Sequence, residues 1–274
     1  MSHTSRIELP GLAPLLSPTI IMLLAIPAIW LGLDGATGGL GVRPWKQAVH
    51  DSGWWAIWML LAALSITPIR RLTGWSALAR IRREVGVASF CYAALHLVLH
   101  AAEQNWRIAS IAVEIVARPY LTLGALAWVI LAALAVTSTD GWVKRLGRHW
   151  RRLHRLVWIA VAAGLAHYLL QVRFDPSLPM AAIALAVWLW AVRRLGAGAW
   201  RAALGVGCAI AFAAAVGEAA WYAASRAVPV PAMLAANLDP TLGLRPAHWV
   251  MAITGSIAIT AAVVARMRPP RRNP

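Results

Sequence analysis

The stretch IRREVGVASFCYAALHLVLHAAE, residues 81–103, decides which class of fold the chain adopts. Its apolar part is long enough, as a helix, to cross a hydrocarbon core of roughly 30 Å. His96 and His100 lie inside this span, and ionisable side chains inside a membrane are costly and usually functional. The stretch therefore predicts a membrane helix that carries part of a functional site.

Similar apolar blocks recur along the chain and explain its composition. Of 274 residues 60% are hydrophobic and only 13% are charged, which is too little charge to cover a soluble globule. The sequence predicts an all-α polytopic membrane protein, a helical bundle of about eight transmembrane helices. The predicted spans cover residues 12–33, 54–69, 85–103, 120–138, 153–172, 180–195, 202–224 and 247–265. No internal repeat, soluble domain or nucleotide-binding motif is evident, so electrons from a nicotinamide must arrive through another protein or a quinone.

The net charge of +16 comes mainly from basic residues in the connections between predicted spans. Basic residues cluster in alternate connections, at residues 70–83, 144–155, 193–201 and 266–272. By the positive-inside rule these segments are cytoplasmic, and an even number of spans puts both termini there too. The pattern predicts a multi-pass protein of a bacterial inner membrane and makes nucleic-acid binding a poor explanation of the charge. Tryptophans near span ends, such as Trp150, are expected to be interfacial anchors.

Histidines at matched depth predict a haem site. His154 and His167 lie 13 residues apart on the fifth predicted span, about 20 Å apart along the helix axis, so that one is expected near each membrane surface. Counted from the cytoplasmic side, His96 lies roughly 17 Å deep and His167 about 21 Å deep on a parallel span. Two neutral imidazoles that face each other across a bundle are what six-coordinate haem requires.

Other residues near this pair leave alternatives open. His100, one turn beyond His96, is a rival ligand, a partner of the ligand or a group near a propionate. His154 has no histidine opposite, so it binds a second haem with water or His149 as partner, or holds a propionate or quinone. The structural alternative is that all these imidazoles only form hydrogen bonds between helices. The candidates for contacts with propionates or with an acidic reductase are Arg82, Arg83 and Arg152.

The cysteines carry no predicted chemistry. Cys91 and Cys208 both lie in apolar blocks and are expected to be small, buried and unpaired side chains.

Residues from about 50 to 195 closely resemble a known family. The matching stretches, in order, are SITPIRRL (65–72), IRREVGVASFCYAALHL (81–97), ARPYLTLGALAWVILAALAVTST (117–139), LGRHWRRLHRLVW (146–158) and AHYLLQVR (166–173). They resemble the haem-binding membrane subunit of the periplasmic protein-methionine-sulfoxide reductase system, the MsrQ or YedZ family, which is related to the ferric reductase transmembrane domain.

The resemblance implies a function and a set of site residues. The haem-associated histidines of the family fall on His96, His154 and His167, for one or two b-type haems, and family members are also associated with FMN. Electrons would pass from the quinone pool or a cytosolic flavin reductase to a periplasmic molybdopterin-containing methionine sulfoxide reductase. The chain would thus be an electron-transfer subunit rather than a stand-alone catalyst.

The chain departs from the family pattern in two ways. His100 occupies a place that the family does not reserve for histidine, and the chain continues beyond residue 200, where a family member is expected to end. We therefore predict three parts, an N-terminal span and outer loop at 1–49, a ferric-reductase-like haem-binding domain at 50–195 and an extension at 196–274. The alternative functions are a ferric or cupric reductase acting on extracytoplasmic chelates, and a transporter or structural membrane protein without haem.

Overall fold

The computed structural model describes residues 13–267, and no strand occurs between these two positions. The predicted cytoplasmic termini and the basic residues Arg268, Arg271 and Arg272 lie outside the described residues. The α-helices are α1 (Ala13–Thr37), α2 (Pro44–Thr73), α3 (Arg82–Glu103), α4 (Ile108–Ala117), α5 (Pro119–Val136), α6 (Asp140–Leu146), α7 (Arg148–Leu153), α8 (Val157–Gln171), α9 (Ser177–Val192), α10 (Trp200–Arg226), α11 (Val230–Ala236) and α12 (Pro246–Met267).

Between residues 13 and 267, seven helical segments are long and apolar enough to cross a membrane. They are α1, α2, α3, α5, α10, α12 and the run through α7 and α8 from Arg148 to Gln171. The predicted fold class, an all-α polytopic membrane protein, is confirmed. The sixth predicted span is the apolar helix α9, whose 16 residues give a length of about 24 Å, short of a hydrocarbon core of roughly 30 Å.

Two helices differ from the expected boundaries in ways that matter for the site. Helix α2 begins at Pro44, well before the predicted start at residue 54, and so includes Val49. The short helix α4 occupies part of the connection between the third and fourth spans, and it stops at Ala117 because Arg118 precedes Pro119 and is extended. The fourth span then begins at Pro119, which suits the first turn of a helix.

The described residues form two compact units. The first consists of residues 13–63 and 76–167, and the second of residues 64–75 and 168–267. In the first unit α3 packs against both α1 and α5, and α4 packs against α5. The predicted boundaries at residues 49/50 and 195/196 remain predictions.

In the first unit a buried tyrosine holds α3 against α1. The Tyr92 hydroxyl donates a hydrogen bond to the Leu24 carbonyl at 2.7 Å and accepts one from the Ala28 N–H at 3.0 Å. It thereby stands between two groups of α1 that are one helical turn apart, beside Pro27, whose missing N–H already interrupts the ladder. A neighbouring helix thus satisfies backbone groups that would otherwise lie unpaired in lipid.

In the second unit small residues bring α10 close to α9 and α12. A stripe with one residue every four positions is buried along α10: Ala203, Gly207, Ala211, Ala215 and Ala219. Such stripes let membrane helices approach closely, so that packing and hydrogen bonds hold them together. The Trp188 indole of α9 donates a hydrogen bond to the Ala203 carbonyl at 3.0 Å, and both residues are fully buried.

Replacement of Gly207 by alanine is expected to destabilise the second unit. An added Cβ would lie 2.5 Å from Oγ1 and 3.0 Å from Cβ of Thr254, a fully buried residue of α12. Overpacking of this kind lowers the free energy of unfolding by about 1–3 kcal/mol. Thermal unfolding in detergent micelles measures the effect, and Gly205→Ala on the same helix, where nothing lies within 4 Å, is the matched control. Equal unfolding temperatures for the two variants would contradict the prediction.

One end of the second unit contains a buried carboxylate. Glu218 of α10 accepts hydrogen bonds from Ser177 Oγ at 2.7 Å and from Asn237 Nδ2 at 2.7 Å, and it forms an ion pair with Arg245 at 3.4 Å. Asn237 and Arg245 belong to the proline-rich connection between α10 and α12, which the sequence places outside the membrane. Glu218 therefore fixes this connection to the helical bundle.

The cysteines correct one sequence expectation. Cys91 and Cys208 are unpaired, as predicted, but both are exposed rather than buried. Each lies on a membrane-spanning helix, α3 or α10, so a thiol in an apolar block here faces outward, where lipid rather than protein surrounds it.

Candidate functional site

The structure brings together two of the predicted histidines, one from α3 and one from α8. The ring centroids of His96 and His167 are 6.4 Å apart and the ring planes make an angle of 81°. Both residues are only partly exposed. The pairing is the one expected from their depths in the third and fifth predicted spans.

The backbone fixes the tautomer of each imidazole in the same way. His96 Nδ1 lies 2.7 Å from the Val49 carbonyl oxygen of α2, and His167 Nδ1 lies 2.7 Å from the Tyr120 carbonyl oxygen of α5. A carbonyl only accepts hydrogen bonds, so Nδ1 carries the proton on both rings. The lone pair of Nε2 is then available to a metal, and the hydrogen bond at Nδ1 increases the basicity of the ligand.

The separation of the two rings fits ligation of one metal ion from opposite sides. An imidazole nitrogen lies about 2.0 Å from a metal that it ligates, and the ring centre lies roughly 1.1 Å further on, so two such imidazoles have centroids about 6 Å apart. Between residues 13 and 267, no group of three or more His, Cys, Asp and Glu side chains is placed to hold a metal ion. Two protein ligands suffice when a macrocycle supplies the other four, as in haem.

His100 lies one turn beyond His96 and has a partner on its own helix. Its Nδ1 is 3.6 Å from Glu103 Oε2, and the two side chains are 23% and 28% exposed. The geometry therefore favours His96 over His100 as the residue of α3 that faces His167.

His154 is placed differently from the sequence expectation. It lies in a short 3-10 turn, His154–Leu156, between α7 and α8, rather than in one uninterrupted α-helix with His167. Its ring stacks on Trp150 with centroids 3.9 Å apart, and its Nε2 lies 3.3 Å from Thr137 Oγ1. The Trp150 indole donates to the Thr137 carbonyl at 2.8 Å. Trp150, expected to be an interfacial anchor, thus supports His154.

The remaining predicted site residues lie on the surface. His149, Arg82, Arg83 and Arg152 are all exposed. Arg83 donates a hydrogen bond to Asp140 and forms an ion pair with it, and this guanidinium holds the pKa of the Asp140 carboxyl below its usual value. Stability from this carboxylate would be lost as pH falls through the lowered pKa, but both side chains are too exposed for a large effect.

Sequence reasoning missed the two carbonyl groups that orient the histidines. A backbone carbonyl has no residue type to signal it, and Val49 lies ahead of the predicted start of its span. The signal that exists is spacing, because each carbonyl residue precedes its histidine by the same 47 residues. The structure thus reveals a repeat in the site that we did not find in the sequence.

Comparisons with known proteins match the part of the chain that contains this pair. Residues 52–165 match the family described as ferric reductase like transmembrane component. The haem-binding subunit MsrQ of the protein-methionine-sulfoxide reductase of Brucella anthropi is 40% identical over 172 residues, 62% of this chain and 78% of that protein. Its counterpart from Caulobacter vibrioides is 41% identical over 176 residues, 61% of this chain and 81% of that protein. No solved structure matches the chain.

Proposed function

Because this chain belongs to the MsrQ family of haem-binding membrane subunits, we propose that it carries electrons across the bacterial inner membrane to a periplasmic, molybdenum-containing methionine sulfoxide reductase. The observation that supports the proposal best is the pairing of His96 and His167 at 6.4 Å with both Nδ1 atoms bonded to carbonyl oxygens. The electron acceptor is proposed from the names of the relatives, and the cofactor from those names together with this geometry.

In this proposal His96 and His167 hold a b-type haem, which supplies one-electron transfer when bound. Their carbonyl partners keep both rings neutral and oriented, so no proton has to move when the charge of the site changes. The partly buried setting limits the access of water to the imidazoles, and the ligand type and this burial would set the reduction potential of the bound haem. The protein's own role is to bind and orient, with no bond chemistry on a substrate.

His154 is proposed to serve the inner end of the path. Its imidazole is stacked on Trp150 and faces Thr137 rather than a second histidine. We therefore assign one haem to the paired histidines and leave His154 to a propionate, a quinone or a second, weakly held haem. The exposed Arg82 and Arg152 lie on the side that is predicted cytoplasmic, where the quinone pool or a cytosolic flavin reductase would deliver electrons. Binding of FMN is proposed from the family resemblance alone.

A reduced-minus-oxidised absorption spectrum of the purified chain, with haem per chain quantified, tests the cofactor. A b-type spectrum with at least one haem per chain is expected. A folded chain, produced in a haem-sufficient host, that is colourless would contradict the proposal and leave the transporter or structural alternative.

Anaerobic reoxidation tests the acceptor. The dithionite-reduced chain is expected to be reoxidised by methionine sulfoxide only when the catalytic subunit of a relative is also present. The match to the ferric reductase family favours one rival, direct reduction of metal chelates. Fast reoxidation by a ferric chelate without the catalytic subunit, and none by the complete methionine sulfoxide system, would support that rival instead.

A further inference from the structure

The two halves of the candidate site repeat the same three-part arrangement. A carbonyl residue is followed four positions later on its helix by a glycine and 47 positions later by the histidine that it binds. In the first half these are Val49, Gly53 and His96. In the second half, Tyr120, Gly124 and His167 occupy the same positions of the pattern.

Each glycine leaves room for the imidazole of its own half. A Cβ on Gly53 would lie 2.9 Å from Nδ1 and 3.0 Å from Cε1 of His96. A Cβ on Gly124 would lie 2.9 Å from Nδ1 and 3.1 Å from Cε1 of His167. These contacts are closer than carbon normally approaches a ring atom, and the rings are held by hydrogen bonds at the crowded nitrogen.

Glycine inside a helix lowers stability by roughly 0.5–1 kcal/mol relative to alanine, so its presence here calls for a physical reason. Close approach of another group to the backbone is such a reason. Gly86, also on a membrane helix of this unit, has open space around it, with nothing within 4 Å of an added Cβ. In the first unit the two imidazoles therefore account for glycine at positions 53 and 124, whereas nothing comparable crowds position 86.

We propose that Gly53 and Gly124 are positioning residues that seat the His96 and His167 rings against their carbonyl partners and so hold the ring planes nearly perpendicular. This inference rests on the proposed haem function, since the rings are positioned for an axial role. It goes beyond the identity of the ligands, because it names what sets their orientation.

Orientation of axial imidazoles has a spectroscopic signature. Perpendicular imidazole planes leave two of the iron d orbitals nearly equal in energy, which gives ferric low-spin haem a highly anisotropic EPR signal. Planes turned toward parallel separate those orbitals and give a more rhombic signal. The angle of 81° between the rings predicts the highly anisotropic type.

The test compares Gly53→Ala and Gly124→Ala with Gly86→Ala in the full-length chain, purified with haem. In the first two variants the methyl group is expected to push the ring from its carbonyl, weaken haem binding by about 10- to 100-fold and reduce the EPR anisotropy. The midpoint potential should rise, because loss of the Nδ1 hydrogen bond weakens donation to ferric iron. Gly86→Ala should match the wild type in all three measurements.

The outcomes separate this inference from the proposed function. Haem in the wild type together with Gly53→Ala and Gly124→Ala variants that keep wild-type affinity, anisotropy and potential would overturn the positioning role and leave the haem proposal intact. A wild type without haem would overturn both. Because the arrangement occurs twice, a variant that fails to fold in one half leaves the other half as the test.

Discussion

Haem is expected to be lost from His167→Ala and from His96→Ala. Each substitution removes one of two imidazoles whose centroids are 6.4 Å apart, a spacing that suits one iron between them. A single remaining imidazole would have to hold the haem without the second ligand that the paired arrangement would provide. Reduced-minus-oxidised spectra and haem quantification on purified protein measure the loss.

His100→Ala is the matched control for this prediction. It removes an imidazole from the same helix, one turn away from His96. The Nδ1 atom of His100 faces Glu103 on that helix. Haem content and the low-spin spectrum are expected to stay at wild-type levels. If His100→Ala lost haem while His96→Ala kept it, the ligand on α3 would be His100 and the pairing proposed above would be wrong.

The fold was predictable because membrane insertion depends on quantities that a sequence displays directly. A hydrocarbon core requires long apolar blocks, and the stretch around His96 has the necessary length. The depth of a residue in such a block follows from its distance to the charged end, and this depth alone predicts that His96 and His167 face each other. The short helix α9 shows the limit of this reasoning, since an apolar block of 16 residues is ambiguous between a span and a shorter helix.

The details of the site were less predictable because they depend on backbone geometry. The carbonyl groups of Val49 and Tyr120 have no side-chain signature, and the 3-10 turn at His154 contains no proline or glycine to signal it. The exposure of Cys91 likewise depends on which face of α3 packs against neighbours. Hydropathy gives the length of a membrane helix, but several faces of such a helix are apolar and the pattern does not choose among them.

The C-terminal part of the chain has a polar centre of its own. Glu218 has no exposed side-chain surface and satisfies three groups from different parts of the chain. Ser177 begins α9, Asn237 follows α11, and Arg245 immediately precedes α12. A single carboxylate therefore ties the outer connection to the bundle, and its removal should be felt at all three positions.

Glu218→Ala is accordingly expected to lower the free energy of unfolding by about 3–5 kcal/mol. This is the range for removing one partner of a buried ion pair. The loss takes the carboxylate from the buried Asn237 amide, which keeps only the Met233 carbonyl as acceptor, and from the partly exposed Arg245 guanidinium. Thermal unfolding in detergent micelles reports the loss, and faster proteolysis of the connection between α10 and α12 reports its release.

Two variants serve as controls for Glu218→Ala. Glu218→Gln keeps an oxygen acceptor of the same shape, so it should lose less stability than Glu218→Ala. Glu114→Ala removes a carboxylate from an exposed ion pair with Arg118, with the two side chains 41% and 53% exposed, and should leave stability close to that of the wild type. A Glu218→Ala variant no less stable than Glu114→Ala would mean that Glu218 does not hold the outer connection, and hydrophobic packing between α10 and α12 alone would then account for the stability of the second unit.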